Sequence, residues 1–199
     1  MILVIGFRLI TVAGLIGLWF LTQNLLSQRG MPEGEIGDKL HQWLAAPNRY
    51  LNDQPAAARL LLITSSLGVD LLGVTVLGWG IFGPSLRPLV GLTILMMLRQ
   101  LSQYLTALPA PQGMIWRDPG VPSLFVTYGV SNDLFFSGHT ALAVFGGLTL
   151  ATISPSLVWV GVGLALFEVF TVLALRAHWT MDVYAGAVTA VLVFVATHG

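Results

Sequence analysis

The 199-residue sequence has no cysteine, only 9% charged residues and a single lysine, Lys39. Without cysteine the chain can form neither disulfides nor thiolate metal sites, so cysteine usage leaves its redox compartment open. Soluble domains carry about a quarter charged residues, so this composition excludes an ordinary soluble protein. The formal net charge is zero, which gives no basic footprint for binding nucleic acid.

Apolar residues are abundant instead, at 55% of the sequence, and the mean hydropathy is +0.81. About 20 apolar residues in a helix cross a bilayer, and six such segments can be drawn. We therefore predict an all-α integral membrane protein, a six-transmembrane-helix bundle forming a single membrane domain over residues 1–199. The predicted helices span residues 2–26, 60–82, 89–108, 134–153, 157–175 and 181–197.

The first helix is too long for a signal-peptide core, so we expect it to be retained, with Arg8 reaching the nearer interface. Residues 27–58 form the longest polar stretch. Leu40, Trp43 and Leu44 lie there at helical spacing, which predicts either a short interfacial helix or an ordinary connecting loop. An even number of crossings puts both termini on one side of the membrane.

Two histidine motifs fall at predicted helix starts. His178 and Asp182 are four residues apart in "HWTMD" and project from one helix face, so the carboxylate can orient the imidazole. His139, in "SGHT", begins the fourth helix. Two crossings separate His139 from His178, so both reach the same membrane face. A structural role and a metal site built from the same three residues are the alternatives.

Two histidines with a carboxylate at one membrane face indicate phosphoryl chemistry. One imidazole can attack phosphorus, and the other can protonate the departing oxygen. Gly138 would let the backbone approach phosphate oxygens at a helix start, where exposed amides favour an anion. Ser137 could add a hydroxyl donor.

Three motifs in order carry a family resemblance. "SGHT" and "HWTMD", together with "RQLSQYLTALPAPQ" upstream, resemble the sphingomyelin synthase family and the phosphatidylcholine:diacylglycerol cholinephosphotransferases, within the type 2 phosphatidic acid phosphatase (PAP2) superfamily. The likeness covers about half of the chain, from Arg99 to the end. It implies a PAP2-like fold in which His178 is the nucleophile, Asp182 its orienting partner and His139 the general acid and base.

The resemblance also implies a function. A phospholipid donor would give its phospho-head-group, phosphocholine or phosphoethanolamine for example, to a lipid alcohol such as diacylglycerol or ceramide, through a phosphohistidine. The partners expected are these lipids and the bilayer, without nucleic acid, and no cofactor or metal is expected. A lipid phosphate phosphatase is the alternative, and a non-catalytic lipid-binding bundle is the second alternative.

Departures from the phosphatase branch bear on the substrate. That branch carries a Lys-x6-Arg-Pro element, which this chain lacks, and an arginine where Val172 stands. A phosphate monoester is close to a dianion and needs several cations in a site of low dielectric, whereas a diester carries one charge. Arg99 and Arg176 are the candidate cations. Choline favours aromatic faces or carboxylates. Candidates for that contact are Asp133, Trp179, Trp116, Tyr184 and Glu168.

Charges inside membrane segments are costly, and they default to functional hypotheses. Asp70, Arg99 and Glu168 qualify, with a structural Asp70–Arg99 pair as the alternative. His41 and His198 are interpreted as interfacial or structural. A positive-inside count places the first loop, and hence the catalytic face, in the cytoplasm, whereas the family resemblance implies the opposite side.

Overall fold

A computed structural model describes residues 2–28, 36–128 and 133–198, and within these ranges the chain is helical without β-strands. This confirms the all-α prediction for the described residues. The α-helices are α1 (Ile2–Ser27), α2 (Lys39–Trp43), α3 (Ala45–Asp53), α4 (Pro55–Phe82), α5 (Arg87–Leu105), α6 (Gly138–Ile153), α7 (Val158–Ala174) and α8 (Thr180–His198), and a 3-10 turn, Pro155–Leu157, precedes α7.

Each of the six predicted long segments has a helical counterpart, but several bounds differ. Helix α4 begins at Pro55, five residues before the predicted start, because proline fits the first turn of a helix. Helix α5 ends at Leu105, where the predicted helix reached 108, because the chain turns extended at Thr106 ahead of a proline. Helix α6 begins at Gly138 and not at 134.

The polar stretch after α1 contains two short helices, α2 and α3, where we had predicted one short helix or a loop. Residues 29–35 of that stretch lie outside the described part of the chain. Asp38 caps α2 by accepting a hydrogen bond from the backbone N–H of His41, at 3.1 Å. Asn48 of α3 donates to the carbonyls of Gly113 and Ala174, which fixes α3 against the end of α7.

Among the described residues, four helical segments are long and apolar enough to cross a membrane, by length and composition: Leu3–Leu25, Pro55–Phe82, Pro155–Ala174 and Thr180–His198. Gly138–Ile153 is apolar but shorter. With 28 residues, α4 is about 42 Å long, which exceeds a hydrocarbon core of roughly 30 Å. An untilted α4 would therefore extend beyond a bilayer of ordinary thickness.

Helix α6 lies at the centre of the bundle and packs against α4, α7 and α8. Its closest neighbour is α7, where Gly147 and Gly161 meet backbone to backbone. A Cβ added to Gly161 would lie 2.6 Å from the Cα of Gly147. Small residues at such a crossing let two helices approach closely in a membrane. Helix α1 lies outside this group, and Arg8 ties it to the end of α4 by donating to the carbonyl of Ile81 at 2.6 Å.

The loop between α5 and α6 contacts the middle of α4. Asp70 accepts hydrogen bonds from the hydroxyl of Ser123 and the backbone N–H groups of Leu124 and Phe125, at 2.9 to 3.1 Å. Irregular backbone at membrane depth needs such partners. The Asp70–Arg99 pair that we considered is therefore wrong, since the Asp70 carboxylate holds this loop and Arg99 pairs elsewhere.

Candidate active site

The starts of α6 and α8 are joined directly. The backbone N–H of Ser137 donates to the carbonyl of Asp182 at 3.0 Å. Gly186 permits this approach, because a Cβ there would lie 2.6 Å from the Ser137 carbonyl oxygen. The contact brings the two histidine motifs to the same end of the bundle, where His139 and His178 line one cavity.

The His178–Asp182 pair is close but is not a formed hydrogen bond. His178 Nδ1 lies 3.7 Å from Asp182 Oδ2. Asp182 is fully buried, and its Oδ2 accepts from the backbone N–H of Trp179 at 2.9 Å, which caps the start of α8. The carboxylate therefore has two roles open to it, as a helix cap and as an orienting group for His178.

The His139 imidazole is buried, and its Nε2 has no hydrogen-bond partner among the described residues. The ring of Trp116 meets it edge-on, with ring centroids 5.2 Å apart. Trp116 is itself fixed by a hydrogen bond from its Nε1 to the carbonyl of Thr127, at 3.2 Å. A buried nitrogen without a partner is costly in a purely structural histidine, so this geometry favours a group that bonds to a ligand.

Ser137 and Gly138 serve the helix as well as the cavity. The Ser137 hydroxyl accepts from the backbone N–H of Thr140 at 3.4 Å, which makes Ser137 the N-cap of α6. Gly138 lines the cavity, but it also gives room to an arginine, because a Cβ there would lie 2.7 Å from Arg99 Nε. The sequence interpretation, which assigned this glycine to phosphate alone, missed the contact with Arg99.

Arg99 and Asp133 form a buried ion pair, with Arg99 Nη2 3.3 Å from Asp133 Oδ2. Arg99 Nε also donates to the carbonyl of Phe136, and Gln103 donates to the carbonyl of Asp133 at 2.6 Å. The side-chain amide of Gln23, on α1, donates to the carboxylate of Asp133 at 3.3 Å. These bonds hold residues 133–136 out of the helix, which is why α6 starts later than predicted. They also neutralise much of the charge that Arg99 could offer a phosphate.

Arg176 stands at the end of α7 with φ at 52°, in the left-handed region that glycine usually occupies. The backbone N–H groups of Arg176 and Ala177 bond back to Leu173 and Val172, which completes a Schellman cap. The Arg176 guanidinium donates to the carbonyls of Gln112, at 2.6 Å, and of His41, at 3.2 Å. It therefore joins the end of α7 to the α5–α6 loop and to α2.

Trp179 follows His178 and is nearly buried. Its Nε1 donates to the carbonyl of Pro109 at 2.8 Å, and its ring stacks on His41 with centroids 5.3 Å apart. Tyr184 is exposed on α8. Glu168 is fully buried and accepts from the Ser65 hydroxyl at 2.6 Å, on the α4–α7 interface.

The cavity that begins at the two histidines continues between α1, α4 and α5, and has a volume of about 270 Å³. Its polar end holds His139, His178, Arg99 and Asp133. The remaining walls are mostly aliphatic and aromatic, and they include Val12, Trp19, Leu92, Met96 and Phe125. Such an arrangement suits an amphipathic molecule whose polar group lies at the histidines.

Sequence reasoning missed the role of α2. His41, interpreted as a structural residue, is buried, and its Nε2 lies 2.9 Å from the carbonyl oxygen of His178. Asp38 accepts from Thr180. Burial opposes ionisation of Asp38, but hydrogen bonds from Thr180 and His41 prevail and lower the pKa of the carboxyl. No local pattern signals contacts that join residues 142 positions apart.

Comparison with known families bears on the part of the chain that carries both histidines. Residues 131–199 match the family model described as PAP2 superfamily, C-terminal. The matched segment covers about a third of the chain and is similar to the C-terminal part of the PAP2 superfamily. No curated protein and no solved structure matches the chain. Within residues 2–28, 36–128 and 133–198, no group of three or more histidine or acidic side chains is arranged to hold a metal ion.

Proposed function

We propose that this chain is a membrane phosphotransferase that acts on phospholipid head groups. It transfers phosphocholine, phosphoethanolamine or a similar group from a glycerophospholipid to a lipid alcohol, diacylglycerol or ceramide. The observation that carries the proposal is that His139, on α6, and His178, in the turn before α8, both line the polar end of one largely apolar cavity. The PAP2 match over residues 131–199 is consistent with lipid phosphatase or phosphotransferase activity.

In the first step, the free imidazole nitrogen of His178 attacks the phosphorus of the donor diester. A nitrogen–phosphorus bond forms, and the bond from phosphorus to the glycerol oxygen breaks. His139, protonated at this stage, gives its proton to the departing oxygen, so diacylglycerol leaves as an alcohol. Asp182, beside Nδ1 of His178, stabilises the positive charge that develops on the attacking ring.

In the second step, His139 takes the proton from the hydroxyl of the acceptor lipid. The resulting oxygen attacks the phosphohistidine, the nitrogen–phosphorus bond breaks, and His178 is restored. Both lipids use the same cavity in turn, so ping-pong kinetics are expected. Parallel double-reciprocal plots check this point, whereas intersecting plots would contradict the scheme.

The charges near the histidines support a diester as substrate. Arg99 is paired with Asp133, and the guanidinium of Arg176 is bound to two backbone carbonyls. Carbonyls do not cancel the charge of Arg176, but the buried Asp182 carboxylate beside His178 offsets it, so these four side chains leave little net positive charge near the site. That suits a monoanionic phosphodiester better than a monoester near its dianionic form. Asp133 and Trp179 remain our proposed contacts for a cationic head group.

A PAP2-type lipid phosphate phosphatase is the second candidate, and the family match favours keeping it, because the matched segment contains both histidines. Water would then replace the acceptor alcohol in the second step.

The test that separates the two functions uses purified protein in liposomes. One set of liposomes contains head-group-labelled phosphatidylcholine and diacylglycerol, and a parallel set contains phosphatidic acid. Label exchange into new phospholipid supports the transferase. Release of inorganic phosphate from phosphatidic acid without exchange supports the phosphatase. If His178→Ala changes neither reaction, a non-catalytic lipid-binding bundle is the better account.

We also propose that the six long helices all cross the bilayer in a single membrane domain. In support, successive long helices run in opposite directions between the end that holds the histidines and the end where Arg8 meets α4. Because the chain has no cysteine, single cysteines report without background. In the single variants Gln112→Cys and Ser85→Cys, the new thiols should be labelled by a membrane-impermeant reagent from opposite sides of the membrane. Which of the two reacts from outside also decides the sidedness of the catalytic face.

A further inference from the structure

The turn that carries His178 is held from outside the α6–α8 core. Asp38, at the start of α2, accepts three hydrogen bonds: from the backbone N–H of His41 at 3.1 Å, from the hydroxyl of Thr180 at 2.6 Å and from the backbone N–H of Thr180 at 2.7 Å. One carboxylate thus caps α2 and binds the first residue of α8.

His41 holds the same turn at a second point. Its Nε2 lies 2.9 Å from the carbonyl oxygen of His178, and a carbonyl can only accept, so the imidazole carries its proton on Nε2. The ring also stacks on Trp179. Arg176 donates to the carbonyl of His41 at 3.2 Å, which closes the connection from the other side of His178.

The residues on either side of His178 have further bonds, in the Schellman cap at Arg176 and Ala177 and from Trp179 to Pro109 and Asp182, whereas the His178 carbonyl is held by His41. Arg176 adopts a left-handed conformation that is unfavourable for a residue with a side chain, and the His178 side chain has only the 3.7 Å approach to Asp182. Nδ1 of His178 has no hydrogen-bond partner among the described residues. The direction of the imidazole therefore depends strongly on where the backbone of His178 is held.

We propose that Asp38 and His41 are positioning residues that fix His178 for attack on phosphorus, and we call this pair the Asp38 clasp. The proposal rests on the proposed function, in which His178 is the nucleophile. Neither member of the clasp lines the cavity at the histidines, so neither touches the reacting atoms. Their effect is on the alignment of His178, and displacing a reacting group by about 1 Å can cost up to about a hundredfold in rate.

The first test compares His41→Gln, whose amide keeps a donor close to the position of Nε2, with His41→Leu, which removes it. The control is Gln42→Ala, since Gln42 is exposed on the same helix and its side chain accepts a hydrogen bond from Lys39 and not from the His178 turn. The full chain is assayed in liposomes for head-group transfer from phosphatidylcholine to diacylglycerol. We expect kcat to fall about tenfold to a hundredfold in His41→Leu, with KM little changed. His41→Gln should recover most of the loss, and Gln42→Ala should match the wild type.

Equal losses in His41→Gln and His41→Leu would overturn the proposal, and so would a wild-type kcat in His41→Leu. Asp38→Asn gives an independent arm, because it keeps the size of the side chain but can no longer accept all three hydrogen bonds. We expect it to lower kcat in the same way, without a matching change in KM. Unchanged kcat in Asp38→Asn would contradict the clasp.

A second readout separates failure of the clasp from failure of the proposed function. Diethyl pyrocarbonate carbethoxylates accessible imidazoles, and mass spectrometry reports modification of His178 whether or not the chain transfers head groups. If the clasp holds the turn, His178 is modified faster in His41→Leu than in wild type or His41→Gln. An equal rate in all three would overturn the clasp. Absence of transferase activity in the wild type, with a faster rate in His41→Leu, would overturn only the proposed function.

Discussion

Helices α6 and α1 are both strongly apolar, but they are packed in opposite ways. Helix α6 has 16 residues, ten of them buried, and it is surrounded by α4, α7 and α8. Helix α1 has 26 residues, and Val12 and Gln23 are the only buried ones among its described side chains. Apolar character in α6 therefore serves packing within the bundle, whereas in α1 it suits contact with lipid.

The comparison shows how the site is divided between a rigid part and an outer wall. Helix α6 carries His139 and, through Ser137, is bonded to the start of α8. Helix α1 contributes aliphatic and aromatic wall to the cavity, and it is fastened by polar contacts near its two ends, Arg8 and Gln23. A cavity bounded on one side by a lipid-facing helix is well placed to receive a hydrocarbon chain from the bilayer.

The largest expected effect comes from His139, the proposed general acid and base at the start of α6. His139→Gln should lower head-group transfer by about 10²- to 10⁴-fold, because it removes the general acid and base. The unfolding temperature in detergent should stay close to that of the wild type, since Nε2 of His139 has no hydrogen-bond partner to lose in the described part of the chain. Activity within a few-fold of wild type would contradict the assigned role.

Next comes a truncation in the middle of α6. Phe145 is fully buried, and Phe145→Ala should cost about 3 kcal/mol or more of stability, because the space cannot close. Phe20→Ala in α1 is the matched control, because Phe20 is 55% exposed, and it should cost less than about 0.5 kcal/mol. Thermal unfolding of both variants in the same detergent measures the difference. Similar losses would break the distinction between the two helices.

A smaller effect is expected where α6 crosses α7. Gly161→Ala should destabilise by about 1–3 kcal/mol, because its Cβ would press on the backbone of Gly147. Gly163→Ala, two residues along α7, meets nothing within 4 Å and should be neutral or slightly stabilising. Gly17→Ala in α1, which also has open space, should behave like Gly163→Ala. Thermal unfolding ranks the three, and a neutral Gly161→Ala would show that the helices can separate at little cost.

The smallest effects are expected at the two ends of α1. Arg8→Met should cost about 1 kcal/mol of stability by removing bonds to the carbonyls of Ile81 and Gly83, with transferase activity retained. Gln23→Leu should cost a similar amount but should also lower activity, because Gln23 bonds to Asp133 beside the site. Parallel stability and activity assays check the contrast. Equal activity in the two variants would contradict it.

Much of the helical framework could be predicted from the sequence, because the long apolar runs leave few other structures. The start of α6 could not. Residues 134–136 are apolar and suit a helix. However, two side chains of α5 bind the backbone here, because Arg99 donates to the carbonyl of Phe136 and Gln103 donates to the carbonyl of Asp133. The local pattern carries no sign of these long-range bonds.

The two histidine motifs could be placed at one end of the bundle by counting crossings, and the described structure brings them to one cavity. The partners of the charged residues could not be assigned in this way. The sequence suggests Asp70 as the alternative partner of Arg99, and only the fold shows that Arg99 pairs with Asp133. The contacts of Asp38 were missed for the same reason, since they depend on how α2 lies over α8.

The most direct measurement of the central claim is to trap the phosphorylated protein. The purified chain is mixed with phospholipid labelled in its head-group phosphate, without acceptor, quenched in base and digested for mass spectrometry. The account predicts a base-stable, acid-labile modification on His178, absent in His178→Ala, that is lost as labelled phospholipid forms on addition of diacylglycerol. Head-group transfer with no modified histidine, or with the label on His139, would contradict it.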